Sequence, residues 1–175
     1  MLTFEEVFEI EGTDNLLMDF LYISLNTLCN ASMSISEQIE HGTDKLEEDI
    51  QRERHIYEDQ ALLLVRTFEK YYSYEWMQER MTQVDPILSL QMEHYTVAHM
   101  ALKARFYRLL HDVCFDKYDF DADFYKPKAK LTLLHVMAKY CSSSYWFDED
   151  LTNLQKLVRR CTNLTLRNNQ GFTID

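Results

Sequence analysis

The sequence predicts an all-α fold: a helical bundle of about five to six helices organised around a long antiparallel helical hairpin. Three observations predict it. Only three glycines and two prolines occur in 175 residues, and sheets and loop-rich folds need both residue types for their turns. Apolar residues recur at steps of three or four along most of the chain, which is the period of one helix face. Hydrophobic residues make up 46% and aromatics 13%, enough to pack an ordered core without disulfide staples.

The elements follow in order. Thr3-x-x-Glu6 forms a capping box before a short amphipathic turn of Phe4, Val7 and Phe8, which Gly12 ends. Asp14 then caps a helix with Leu17, Phe20, Leu21, Leu25 and Leu28 on its apolar face. The run Asn30-Ala-Ser-Met-Ser34 is expected to interrupt it, and Ser34-x-x-Glu37 to restart it. A stripe through Ile35, Ile39, Gly42, Leu46, Ile50, Glu53, Tyr57, Ala61, Leu64, Phe68 and Tyr71 predicts one helix over 44–82, about 60 Å long.

Asp85-Pro86 stops that helix and starts the next, because Asp suits the N-cap and Pro the first helical position. The stripe Leu88, Met92, Tyr95, His99, Leu102, Phe106, Leu109, Val113 alternates steps of four and three, which is heptad spacing. The pair 44–82 and 86–115 is therefore the expected antiparallel hairpin at the centre. Residues 116–126 read as an acidic aromatic loop. Pro127 opens a helix with Leu131, Leu134, Met137, Ala138 and Cys141 inward, and Asp148 caps a last one with Leu151, Leu154, Leu157, Val158 and Cys161. Residues 1–163 form a single helical domain in this reading, and 164–175 a two-stranded hairpin or a tail.

Composition narrows the function. No apolar run approaches the ~20 residues of a membrane span, and the acidic N-terminus lacks the basic segment of a secretory signal. The four cysteines, Cys29, Cys114, Cys141 and Cys161, are far apart in apolar contexts and read as buried thiols of a reducing compartment. The expected location is cytoplasmic. Net charge is −11, divided as −13 over residues 1–85 and +2 over 86–175. Such asymmetry points either to a basic partner or to an acidic helix answered internally by a basic one. In a hairpin turning near residue 84, Glu58 would face His111 and Glu69 would face Lys103.

Few motifs carry chemistry. No glycine-rich phosphate loop, CxxC pair, HExxH or Glu-x-x-His pattern is found. Asp119, Asp121 and Asp123 alternate as in a calcium loop, but the sixth position is Phe124 and the twelfth Lys130, where Gly and Glu are needed. His94 and His99 are separated by roughly 140° around a helix, so they share no metal. His99, in a core position, reads as a hydrogen-bonded structural residue. Neither metal nor cofactor is expected.

Arg105-Phe-Tyr-Arg108-Leu-Leu-His111 resembles the motif of HEPN ribonucleases, an Arg followed by a His four to six residues beyond it. That resemblance covers seven residues and implies a compact helical bundle that cuts RNA without metal, with Arg105 and His111 as the catalytic pair. In that family the two sit near a helix end, often across a dimer interface. The polar residue that often follows the Arg is Phe106 here. Without the resemblance, Arg108 and Asp112 read as an i, i+4 pair on a solvated face.

Basic residues interleaved with Tyr107 and Tyr125 could hold single-stranded nucleic acid, although −11 overall opposes attraction to phosphates. The favoured expectation is a non-enzymatic interaction or regulatory protein that docks on a basic protein partner, such as a nucleic-acid-binding protein. Glu47, Glu48, Asp49 and Glu53 would supply the charge. Tyr72, Tyr74 and Trp76 would supply the aromatic anchors that interfaces favour. The alternative is the metal-independent ribonuclease or an RNA-binding bundle. No membrane is expected as a partner, and a homodimer is compatible with either reading.

Overall fold

Residues 14–40, 47–84, 96–124, 132–141 and 147–162 are described by a computed structural model. The protein is an all-helical bundle, and no strand occurs among the described residues. The C-terminal hairpin expected over 164–175 and the turn at Asp85-Pro86 lie outside them.

Helix α1, Asp14–Glu40, buries Leu17, Leu21, Leu25 and Cys29 on one side. It runs unbroken through Asn30–Ser34, where an interruption was expected. Ser32 explains the continuity. It is fully buried, and its hydroxyl donates to the Ala104 carbonyl at 3.0 Å. A small polar residue that would favour a turn in water thereby satisfies an orphan carbonyl at another helix end.

Helix α2, Glu47–Phe68, places Glu47, Glu48 and Asp49 in its first turn and Arg66 in its last, both favourable to the helix dipole. Among the described elements, helices α1 and α2 pack more extensively than any other pair. They are the long hairpin of the fold, so the sequence pairing of 44–82 with 86–115 at the centre is corrected.

The helix expected over 44–82 is also two. It ends at Phe68, and α3 spans Tyr74–Thr82. Ser73, in extended backbone, caps α3 by accepting from the Trp76 N–H at 3.2 Å. The break folds Tyr72 flat against Trp76, with ring centroids 3.8 Å apart. The Tyr22 hydroxyl then ties α3 to α1 by donating to the Arg80 carbonyl.

The helix expected over 86–115 breaks as well. Thr96 is extended and caps α4, Val97–Ala104. Arg105 ends α4 with φ 59° and ψ 37°. The Phe106 N–H returns to the Ala101 carbonyl at 2.8 Å and the Arg105 N–H to Leu102 at 3.1 Å. This is a Schellman stop, with arginine at the left-handed position that usually holds glycine. Beyond it, Leu109–Phe115 is a π-helix. Its N-terminus is capped by Glu58 of α2, whose carboxylate accepts from the N–H groups of Arg108 and Leu109 at 2.7 and 3.2 Å. The expected Glu58–His111 proximity holds, since both line one groove. Glu69 instead pairs with Lys117 at 2.7 Å rather than with Lys103.

Helices α5, Leu133–Cys141, and α6, Asp148–Arg160, complete the bundle. In α5, Leu134 is buried as expected, but Ala138 is exposed. The cap residue of α6 is Phe147, not Asp148. Leu154 and Leu157 point inward, whereas Leu151 and Val158 are exposed. One core gathers Leu21, Leu25, Phe68, Phe106, Leu109 and Leu110 from three of the helical segments and the chain between them. A small second cluster of Ile35, Ile50 and Phe147 joins α1, α2 and the start of α6.

Candidate functional site

Two histidines, His99 and His135, belong to helix N-terminal caps. Thr96 and His99 open α4: the His99 N–H lies 3.4 Å from Thr96 Oγ1, which is 2.8 Å from His99 Nδ1. Thr132 and His135 repeat the arrangement at α5 with the same two distances. At α5 the Thr132 N–H also donates to His135 Nδ1 at 3.3 Å, completing a capping box with His in the place of Glu or Gln; both sites are readable in the sequence as Thr-x-x-His. Both histidines are buried. No group of three metal-binding side chains occurs among the described residues.

Arg105 and His111 are placed apart in role. The Arg105 guanidinium donates to Asp150 Oδ2 at 2.7 Å. Asp150 is fully buried and also receives Arg54 at 3.3 Å, the Tyr107 hydroxyl at 2.7 Å and the Phe147 N–H at 3.0 Å. Arg54 lies over the Phe147 ring. Burial, with the Asp150 charge beside it, pushes the Tyr107 hydroxyl well above the usual phenol range. Burial pulls the Arg54 guanidinium down, against the attraction of Asp150. Two cations and a phenol converging on one carboxylate make a structural knot between α2, the α4 stop and α6.

His111 leaves that knot and lines an open groove of about 570 Å³ between α2, the π-helix and α6. Arg108, not Arg105, lines it with His111. The His111 Nε2–H donates to the Asn153 carbonyl at 3.2 Å. Burial holds its imidazole below the ordinary histidine range, and the Arg160 and Lys156 cations push the same way. Arg108 is held by Glu58 and Asp59 at 3.0 and 2.8 Å. The groove's carboxylates, Glu58, Asp59, Asp112 and Glu149, outnumber its cations Arg108 and Lys156, a poor field for a polyanion.

A second cleft, about 390 Å³, lies between α3 and residues 118–124. Glu75 and Glu79 come from successive turns of α3, and Asp119 and Asp121 from the opposite wall. Phe124 supplies half-buried aromatic surface, Tyr118 and Phe120 lie buried beside it, and none of the described lining residues is basic. Arg80, just outside, pairs with Glu79 and lies over Trp76 at 4.7 Å. The walls are fastened together. The Tyr74 hydroxyl donates to the Lys117 carbonyl at 2.8 Å, and its ring stacks on Tyr118. Asp119 holds φ 53° where the chain leaves the π-helix, a conformation Asp tolerates better than most residues.

The residues expected to bind a partner therefore form two groups. Tyr74 is exposed beside the cleft, with Tyr72 and Trp76 half-buried in the neighbouring stack. Glu47 and Glu48 are exposed, and Asp49 and Glu53 partly so, in the first two turns of α2. The two groups sit at opposite ends of the 22-residue α2, about 30 Å along its axis. The sequence reading missed Glu75 and Glu79 as cleft residues. Their i, i+4 spacing and the alternating aspartates were the available signals. No family model, curated protein or solved structure matches the chain.

Proposed function

We propose that this chain is a non-enzymatic, acidic helical interaction protein that docks on a basic protein partner, with the cleft beside α3 as the recognition site. The observation that carries the reading is the gathering of four carboxylates around the half-buried Phe124 ring in one cleft whose described lining includes no basic residue. Carboxylates attract a Lys or Arg side chain at range, and an aromatic face holds the cation once it is desolvated. Tyr74 and Trp76 extend the aromatic surface, and Glu47, Glu48, Asp49 and Glu53 add a second negative area that steers the approach. A cytoplasmic setting accords with the buried free thiols of Cys29, Cys114 and Cys161. Burial pushes all three up, Cys161 to about 11.

The test is titration of the full chain with a Lys- and Arg-rich peptide that lacks apolar residues, against its Glu-substituted counterpart. Binding should be confined to the basic peptide and weaken steeply as salt rises. Glu75→Lys combined with Asp121→Lys should weaken it about tenfold. Salt-independent binding, or indifference to that double reversal, defeats the reading.

The ribonuclease reading keeps one observation, the presence of Arg108 and His111 on one open groove. It would need Arg105 to abandon Asp150. The expected outcome is no RNA cleavage that depends on His111. Metal-independent cleavage lost in His111→Ala would replace the docking reading.

A further inference from the structure

Thr162 follows Arg159, Arg160 and Cys161, and no other Ser or Thr in the chain has arginine at both the second and third positions before it. Two arginines so placed are what an arginine-directed protein kinase reads, through carboxylates in its own substrate cleft. The fold presents this stretch at the surface. Helix α6 ends at Arg160, and Cys161 is extended with φ −79° and ψ 132°. Arg159 and Thr162 are exposed. Arg160 is 39% exposed, paired with Asp116 and lying over the Phe115 ring at 5.0 Å.

Thr162 is also a latch. The Asp123 carboxylate accepts from its N–H, at 2.9 and 3.0 Å to the two oxygens, and from its hydroxyl. Beside it the Cys161 thiol donates to the Ala122 carbonyl at 3.7 Å. These contacts fasten the end of α6 to the segment 118–124, which walls the acidic cleft. Exposed polar ties contribute little to stability, and helix ends open far more readily than cores, so the hydroxyl can be freed without global unfolding. We propose that Thr162 is a phosphorylation site for an arginine-directed kinase, and that the phosphate releases the end of α6 from Asp123. Thr162 Oγ1 attacks the γ-phosphorus of Mg2+-bound ATP. The Oγ1–phosphorus bond forms as the bond from that phosphorus to the β–γ bridging oxygen breaks; ADP leaves, and the hydroxyl proton passes to a carboxylate of the kinase. The product has no hydroxyl to donate to Asp123 and sets a charge of about −2 against it. The inference stands whether or not the docking reading holds.

The probe is a purified arginine-directed Ser/Thr kinase with Mg2+ and ATP, acting on the folded full chain. Tandem mass spectrometry should locate one phosphoryl group on Thr162, and Thr162→Val should remove it. Arg159→Ala should slow incorporation about tenfold, since that guanidinium is the more exposed of the two the kinase reads. Asp123→Ala frees the hydroxyl in advance and should be modified faster than wild type. Amide hydrogen exchange at Thr162 should quicken about tenfold on phosphorylation, and equally in unmodified Asp123→Ala. Arg159 and Thr162 are exposed, so neither substitution should move the unfolding midpoint; should Asp123→Ala unfold, exchange in the phosphorylated wild-type chain decides the latch. Modification of urea-unfolded chain alone, incorporation that survives Thr162→Val, or a rate indifferent to Arg159→Ala overturns the site. Unchanged exchange in the phosphorylated chain overturns the release.

Discussion

Asp150→Ala should be the most damaging single truncation in the bundle. The carboxylate is 0% exposed and accepts from two guanidinium groups, one phenol and one backbone N–H. Removing it leaves Arg54 and Arg105, whose side chains are 2% and 7% exposed, facing each other without their shared anion. Breaking a buried pair from one side costs about 3–5 kcal/mol, because the remaining charge stays desolvated. The Phe147 N–H loses its acceptor at the same time, and loss of a helix cap costs about 1 kcal/mol. The sum is comparable with the whole stability of many domains, about 5–15 kcal/mol. With an m-value of ~2 kcal/mol/M, the urea midpoint should fall by about 2–3 M in equilibrium unfolding followed by far-UV circular dichroism. Asp150→Asn keeps the shape but loses the charge and one acceptor, so it should fall at the lower end of the range. The pair Asp150→Ala and Arg54→Ala should cost less together than the sum of their separate effects, since the second removes a charge the first has stranded. A midpoint shift equivalent to less than 1 kcal/mol for Asp150→Ala, or strict additivity of the pair, would refute the knot as an energetic unit.

Three further outcomes follow from the same geometry. His111 is held below its unfolded-state value of 6.5, so its contribution to stability is present above that pH and lost as pH falls through and below it. The slope is at most about 1.4 kcal/mol per pH unit; NMR titration should find His111 below 6.5, and urea unfolding of His111→Gln should lack that part of the acid sensitivity. Glu58→Ala removes the acceptor of the Arg108 and Leu109 N–H groups and should cost about 1–3 kcal/mol; a thermal melt unchanged from wild type would show that the π-helix needs no cap. Reversal of Glu47, Glu48 and Asp49 to Lys should slow association with the basic peptide more than it hastens dissociation, as stopped-flow mixing at low salt would read; unchanged association would leave that turn a solubilising surface.

The fold class was legible because it rests on what the chain nearly lacks. Glycine and proline scarcity excludes a turn-rich sheet, and apolar steps of three and four exclude alternation. The helix breaks were not legible, for reasons specific to each. Ser73 is an ordinary N-cap residue, but the apolar stripe continues through Phe68 and Tyr71 as though no break existed. The stop at Arg105 is harder. A left-handed residue normally betrays itself as glycine, and here the strain of a non-glycine residue, of order 1–2 kcal/mol, is offset by a guanidinium aimed at Asp150. The chain turns at that point because a carboxylate 45 residues later rewards the turn, and no local pattern records so distant a cause.

The site was half legible for a related reason. Charge asymmetry and the aromatic run 71–76 were visible in order along the chain, so the acidic and aromatic residues were expected to act together on one long helix. The break after Phe68 separates them. It turns α3 so that Glu75 and Glu79 oppose Asp119 and Asp121, residues that the sequence reading left in a solvated loop. The seven-residue motif from Arg105 to His111 was divided in the same way. Its arginine stops a helix and joins a buried knot, and its histidine lines a groove on the far side of Tyr107. Spacing along a chain predicts neighbours only while one helix continues. Here the residues that decide where helices stop, Ser73 and Arg105, also decide which charges meet.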